Sequence, residues 1–191
     1  MDVVLALPRP LFADPVDSGR HRLARLFASA AAGDGDSLAA LYDATVRELY
    51  AFALWRTGRP EIAEDAVQEV FCRLAGSDFN AERVRDPRAW LLTSVRHAAI
   101  DLLRRTAREE RMPESPRFVA VEDPAREAEA GRISAAIAEL PSKLREALFL
   151  RHFAGLTFAE IGRVVGVPTF TAASRCRLGL ARLRRRLGIA P

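Results

Sequence analysis

Beyond Glu160 the chain carries no Asp or Glu, yet Arg163, Arg175, Arg177, Arg182, Arg184, Arg185 and Arg186 follow. A segment of one sign is an electrostatic footprint for a polyanion, and the guanidinium fork suits bidentate contact with phosphate and with guanine. Lys143 is the only lysine among 29 basic residues. A compositional bias toward arginine explains that choice but not the missing acids. A second set, Asp65, Gln68 and Glu69, recurs at spacings of three and four, on one helical face opposite an apolar stripe. Periodicity alone reads it as a solvated polar surface. A third set surrounds the polar loop from Gly76 to Asp86, with Phe79 and Asn80 in the loop and Trp90, Arg96 and His97 on the helix behind it. Aromatic and basic groups beside a loop suit single-stranded nucleic acid, whose unstacked bases need a surface to stack on. The same residues equally suit packing, with Trp90 in a core and Phe79 pinning the loop.

Other chemistry is poorly represented. Cys72 and Cys176 are far apart, belong to no C-x-x-C pair and have no neighbouring His, so both read as reduced, partly buried apolar residues. No metal cluster, glycine-rich phosphate cradle or nucleophilic arrangement is visible around His21, His97 or His152, so neither catalysis nor a cofactor is expected. A chain that is 49% hydrophobic and 28% charged is of the soluble globular class. Asp2 stands where a secretory signal carries positive charge, Pro8 and Pro10 interrupt the short apolar stretch, and no long apolar run follows. The expected location is the cytoplasm, without membrane insertion.

The elements that must position these groups read as helices, and nothing reads as a strand. A length of 191 residues suits two small modules joined by a linker. Residues 1–19, with Pro8, Pro10 and Pro15, form a loose leader. Residues 20–111 form the first module. Leu23, Leu26 and Phe27 mark a short helix; Asp36 can cap a second, with Leu38, Leu41, Tyr42, Leu49, Phe52 and Ala53 inward up to Gly58. Pro60 opens a third helix that ends before Gly76, and Asp86 with Pro87 opens a fourth carrying Trp90, Leu91, Val95, Ala98, Ala99, Leu102 and Leu103 inward. Residues 112–125, with Pro113, Pro116 and Pro124, lose the periodicity and read as a flexible linker.

Residues 126–191 form the second module. Ile133, Ile137 and Leu140 make one stripe, Ser142 can cap the next helix, and Thr157 with Glu160 makes a capping box. A short helix to Gly166, a Val167-Pro168 turn and a longer basic helix through Leu187 make a helix-turn-helix. Its second helix would offer Thr169, Phe170, Thr171, Ala173, Ser174 and Arg177 to a major groove, with Arg175 at the margin and Ala172, Cys176, Leu180 and Leu183 inward. Gly179 in mid-helix should loosen the distal half, since Gly costs about 1 kcal/mol against Ala.

These residues resemble a family. Residues 63–74 (AEDAVQEVFCRL), 88–96 (RAWLLTSVR) and 99–105 (AIDLLRR) look like region two of the extracytoplasmic-function sigma factors of the sigma-70 family. Leu140-Pro141, residues 145–148 (REAL), 151–153 (RHF), 155–161 (GLTFAEI) and 166–168 (GVP) look like their region four, in the family's order and spacing. The resemblance implies an all-α protein of two helical domains that binds core RNA polymerase, recognises promoter DNA, both duplex and melted, and catalyses nothing itself.

By position, Asp65, Gln68 and Glu69 then match the face that docks on the polymerase clamp, which reverses the reading from periodicity. Phe79, Asn80, Trp90, Arg96 and His97 match the part that takes the minus-ten element and a flipped base. Thr169, Phe170, Thr171, Ser174, Arg175 and Arg177 lie on the helix that matches the reader of the minus-thirty-five element, in a module that also resembles one docking on the polymerase flap. An anti-sigma partner in a bacterial cytoplasm is implied as well. The chain departs from the family where it has Phe170 for a common Gly, Ala173 for a basic residue and His97 for Asn. Phe170 could touch a thymine methyl or obstruct a phosphate, and losing a cation at Ala173 should weaken backbone binding. These departures leave open a sigma-like mimic that sequesters a regulator without transcribing; a plain helix-turn-helix repressor would have no need of the region-two block.

Overall fold

The computed structural model describes residues 16–76, 79–109 and 124–189, with side chains over 19–76, 79–106 and 131–189. The described residues are helical with short connections, hold no strand, and belong to two compact units. The leader through Pro15 and most of the 112–125 linker lie outside the described residues.

The first unit contains α1 (Val16–Ala31), α2 (Gly35–Thr57), α3 (Pro60–Ala75), a 3-10 turn at Ala81–Arg83 and α4 (Pro87–Glu109). α1 starts four residues before the apolar periodicity does. α2 is capped by Asp34 rather than Asp36: the Asp34 carboxylate accepts the Asp36 amide at 3.2 Å and the Ser37 hydroxyl at 2.5 Å. Gly33, with φ of 93°, makes the preceding turn that residues bearing a Cβ resist. Pro60 opens α3 as expected, and Asp86 caps α4 through the Ala89 amide at 3.1 Å. α2, α3 and α4 pack on one another around Leu41, Leu49, Phe52, Val70, Leu74, Leu92 and Val95, with α1 adding Phe27. A charged pair ties α4 to α2. Arg88 grips Glu48 with two guanidinium nitrogens, Nε reaching Oε2 at 3.2 Å and Nη2 reaching Oε1. Tyr42 is not a core residue; it is 42% exposed and lies edge-on to Phe71, with ring centroids 5.0 Å apart.

The second unit holds α5 (Pro124–Ala138), α6 (Ser142–His152), α7 (Phe158–Val165) and α8 (Thr169–Leu187). Ser142 is the first helical residue and not the cap; the Pro141 carbonyl takes up the Leu144 and Arg145 amides instead. Phe149 stacks on Phe153 at 5.3 Å, and Leu148, Leu150, Ile161, Val164, Ala172, Cys176 and Leu183 close the core. Leu180 is only half-buried, and Gly179 takes the inward position beside it. A Cβ on Gly179 would sit 3.0 Å from Leu148, so this glycine lets α8 approach α6 closely; it seats the helix instead of loosening it.

Candidate nucleic-acid interface

The helix-turn-helix is assembled from local interactions that the sequence spells out. The Thr157 hydroxyl accepts the Glu160 amide at 3.3 Å, and the Glu160 carboxylate accepts the Thr157 amide at 2.7 Å, so the start of α7 is closed reciprocally. Gly166 ends α7 at a φ of 69°, and the Val167 amide returns to the Gly162 carbonyl at 2.9 Å. Gly162 is the residue that sequence reading missed. A Cβ there would lie 2.6 Å from the Val167 carbonyl oxygen, so only glycine lets the turn press against α7. Its signal in the sequence is a lone glycine within an otherwise strongly amphipathic short helix.

α8 leaves this turn with no side-chain cap and no acid in its first turn. Its free amides and the arginines along it therefore present positive potential, and near its far end Arg186 pairs with Glu139. Ala172, Cys176, Gly179 and Leu183 face inward. The Cys176 thiol donates to the Ala147 carbonyl at 3.3 Å, and burial pushes its pKa up to about 11, so it is a protonated packing group. On the outer side Thr169, Phe170 and Arg177 are exposed, while Thr171, Ser174 and Arg175 are half-buried. Arg177 donates to the Ser174 hydroxyl at 3.3 Å, which holds its guanidinium across the helix face. All six sequence-chosen residues thus share the first half of one helix.

The first unit carries the other two sets. On α3, Asp65 and Gln68 are exposed, and Glu69 pairs with Arg73 one turn on at 2.8 Å. Beside them runs an apolar groove of about 610 Å³ between α2 and α3, lined by Leu38, Tyr42, Val46, Tyr50, Val67, Phe71, Cys72 and Ala75, with Glu64 and Gln68 on its rim. The sequence pattern assigned Tyr42 inward and did not reveal this groove, because it forms from half-faces of two helices.

Around the loop, packing prevails. Phe79 lies 4.8 Å from Trp90 and 5.8 Å from Phe27, and Trp90 lies 5.4 Å from Phe27, all edge-to-face. The two aromatics expected to receive bases are thus in contact with each other and with α1, and both remain half-buried, so each ring keeps part of its surface open. The Asn80 side chain accepts the Glu82 amide at 2.9 Å and caps the 3-10 turn, leaving its amide nitrogen exposed. Arg96, half-buried, and His97, exposed, follow on α4, about 9 Å along the axis from Trp90. Among the described residues no cluster of three or more His, Cys, Asp or Glu could hold a metal, and no helix is long and apolar enough to cross a membrane.

Comparison with known proteins agrees with this geometry. The family "Sigma-70 region 2" matches residues 41–109, and "Sigma-70, region 4" matches residues 130–183. The ECF RNA polymerase sigma factor SigM of Mycobacterium tuberculosis is 31% identical over 175 residues, which cover 89% of this chain and 88% of SigM. The chain belongs to the extracytoplasmic-function sigma factors. A probable RNA polymerase sigma-C factor of Mycobacterium bovis is 31% identical over 151 residues, 77% of this chain and 81% of that protein. Two solved structures share the fold with TM-scores of 0.65. The sigma factor RpoE of Bartonella quintana, in complex with the anti-sigma factor NepR, is 24% identical and covers 76% of this chain and 93% of its own. CnrH, in complex with the cytosolic domain of CnrY, is 22% identical and covers 87% and 97%. As a sigma factor the chain is a DNA-binding regulator: an alternative initiation subunit that binds core RNA polymerase and promoter DNA.

Proposed function

We propose a division of labour between the two units. Residues 20–111 bind core polymerase and the minus-ten element, residues 126–191 read the minus-thirty-five duplex, and residues 112–125 connect them. The observation that carries this reading is α8: an acid-free helix set on a glycine-tightened turn, with its inward side used for packing and Thr169, Phe170, Ser174 and Arg177 on or near its outer side. Arg175 and Thr171 flank that side, in reach of phosphates. On the first unit, Asp65, Gln68 and Glu69 are the polar edge of the polymerase-docking surface, and the adjoining α2–α3 groove supplies the apolar area that a charged edge alone lacks. Phe79, Asn80, Trp90, Arg96 and His97 meet the melted strand, and the ring contacts of Phe79 and Trp90 also hold the loop in place.

An anti-sigma partner is part of this proposal, supported by the complex of the structurally similar RpoE with NepR. So is a cytoplasmic site of action, where the polymerase works.

The test is gel filtration with core RNA polymerase, followed by run-off transcription on genomic fragments. Co-elution with new transcripts is the expected result, and Asp65→Lys with Glu69→Lys should abolish co-elution. Unchanged binding by that double variant would remove the acidic edge from the docking surface. Co-elution without transcripts would favour a mimic that occupies polymerase.

A further inference from the structure

Phe170 is the most exposed large apolar residue of α8, ahead of Leu178, and neither packing nor charge explains it. Its side chain is 74% exposed, whereas Ala172 two residues on is fully buried. Phe170, Ala173, Ser174 and Arg177 are separated by three, four and seven residues, so they share the helix face turned away from Ala172, Cys176, Gly179 and Leu183. That face has two chemically distinct ends. At one end a bare aromatic ring stands beside the small Ala173; at the other a guanidinium is held by Ser174 at 3.3 Å. Seven residues of helix separate the ends by about 10 Å, close to three base-pair steps of duplex.

The backbone that carries the ring is also firmly placed. It lies in the first turn of α8, directly after the Val167–Pro168 turn that Gly162 holds tight against α7. A benzyl group adds nothing to the attraction for phosphate. Within a major groove the one base feature that an apolar side chain recognises is the C5 methyl of thymine. Ala173 leaves room beside the ring where a longer side chain would compete for the same space.

Resting on the reading that α8 enters the major groove, we propose that Phe170 is a specificity residue that reads a thymine methyl, about three base pairs from the base met by Arg177. This promoter preference would belong to the chain's own departure from the family pattern at position 170.

The test uses holoenzyme reconstituted from core polymerase and the full chain, selecting binding sites from a duplex library randomised across the upstream element. The wild type should enrich thymine at one position at an edge of the element. Replacing that thymine by deoxyuridine, which removes only the methyl, should weaken binding about three- to fivefold. Phe170→Ala should lose the thymine enrichment and bind both duplexes alike, while retaining the rest of the selected sequence. Because the side chain is largely exposed, the variant should keep its helical circular dichroism. Thymine enrichment that survives Phe170→Ala, or indifference of the wild type to deoxyuridine, would overturn the proposal and leave duplex reading by α8 intact. A holoenzyme that selects no upstream sequence would overturn both. If Phe170→Ala instead weakens assembly with core polymerase and leaves the selected sequence unchanged, the ring faces protein and the proposal fails.

Discussion

Replacing Arg88 by Met tests whether the first unit depends on a buried charge pair. The Glu48 side chain is 4% exposed and that of Arg88 26%, so the pair sits mostly out of water, with the carboxylate deeper than the guanidinium. Both carboxylate oxygens accept from Arg88, which joins two helices forty residues apart and sets the start of α4 behind the loop. Arg88→Met keeps much of the aliphatic volume but leaves the carboxylate buried without its cation. Breaking such a pair costs about 3–5 kcal/mol, and the partial exposure of Arg88 places this one near 3 kcal/mol. A unit of roughly a hundred residues has about 5–15 kcal/mol in total, so the loss is a large share of it. With a urea dependence of about 2 kcal/mol per molar, the midpoint should fall by about 1.5 M.

Tryptophan fluorescence isolates this transition within the intact chain, because both tryptophans, Trp55 and Trp90, lie in the first unit. The double variant Glu48→Leu with Arg88→Met, which removes both charges, should regain stability to within about 1 kcal/mol of wild type. A midpoint shift below about 0.5 M for Arg88→Met would mean that the pair contributes no more than an exposed one, and would refute the reasoning.

Gly162→Ala should destabilise the second unit by about 2–3 kcal/mol, as overpacking against the Val167 carbonyl, and should abolish duplex binding; far-UV circular dichroism melts and DNA titration check both. Thr157→Ala removes the hydroxyl half of the capping box and should lower stability by about 1 kcal/mol in the same melts. Burial, reinforced by the neighbouring Arg151 charge, holds the His152 pKa below its usual 6.5, and its Nε2 is buried. The unfolded chain therefore takes up the proton first. The second unit should have its full His152 contribution above pH 6.5 and lose it as the pH falls from there toward the depressed folded value, a dependence that His152→Leu should flatten in melts recorded from pH 7.5 to 5.

The chain's local chemistry was readable residue by residue. The capping box at Thr157 and Glu160, the glycine stops at Gly58 and Gly166, Pro60 opening α3 and Asp86 capping α4 are agreements between neighbours in sequence, and local hydrogen bonding decides them. The same locality explains why α8 and its outward residues were legible: alternating inward and outward positions on one helix need no knowledge of anything else. Boundaries were weaker. Asp34 and Asp36 are both able to cap, and only the turn at Gly33 selects the first.

Contacts between residues distant in sequence were decided by tertiary structure alone. Phe79 and Trp90 were equally suited to stacking bases or packing a core, and it is Phe27 from α1 that closes the triangle and engages both. Tyr42 follows the apolar period of α2 yet lines an open groove, because α3 covers only part of that face. Gly179 reads as a weak point in a helix until Leu148 is placed against it. A sequence states what each side chain is able to do; which of its options is realised depends on the neighbour that arrives from elsewhere in the chain, since burial and close contact are properties of pairs.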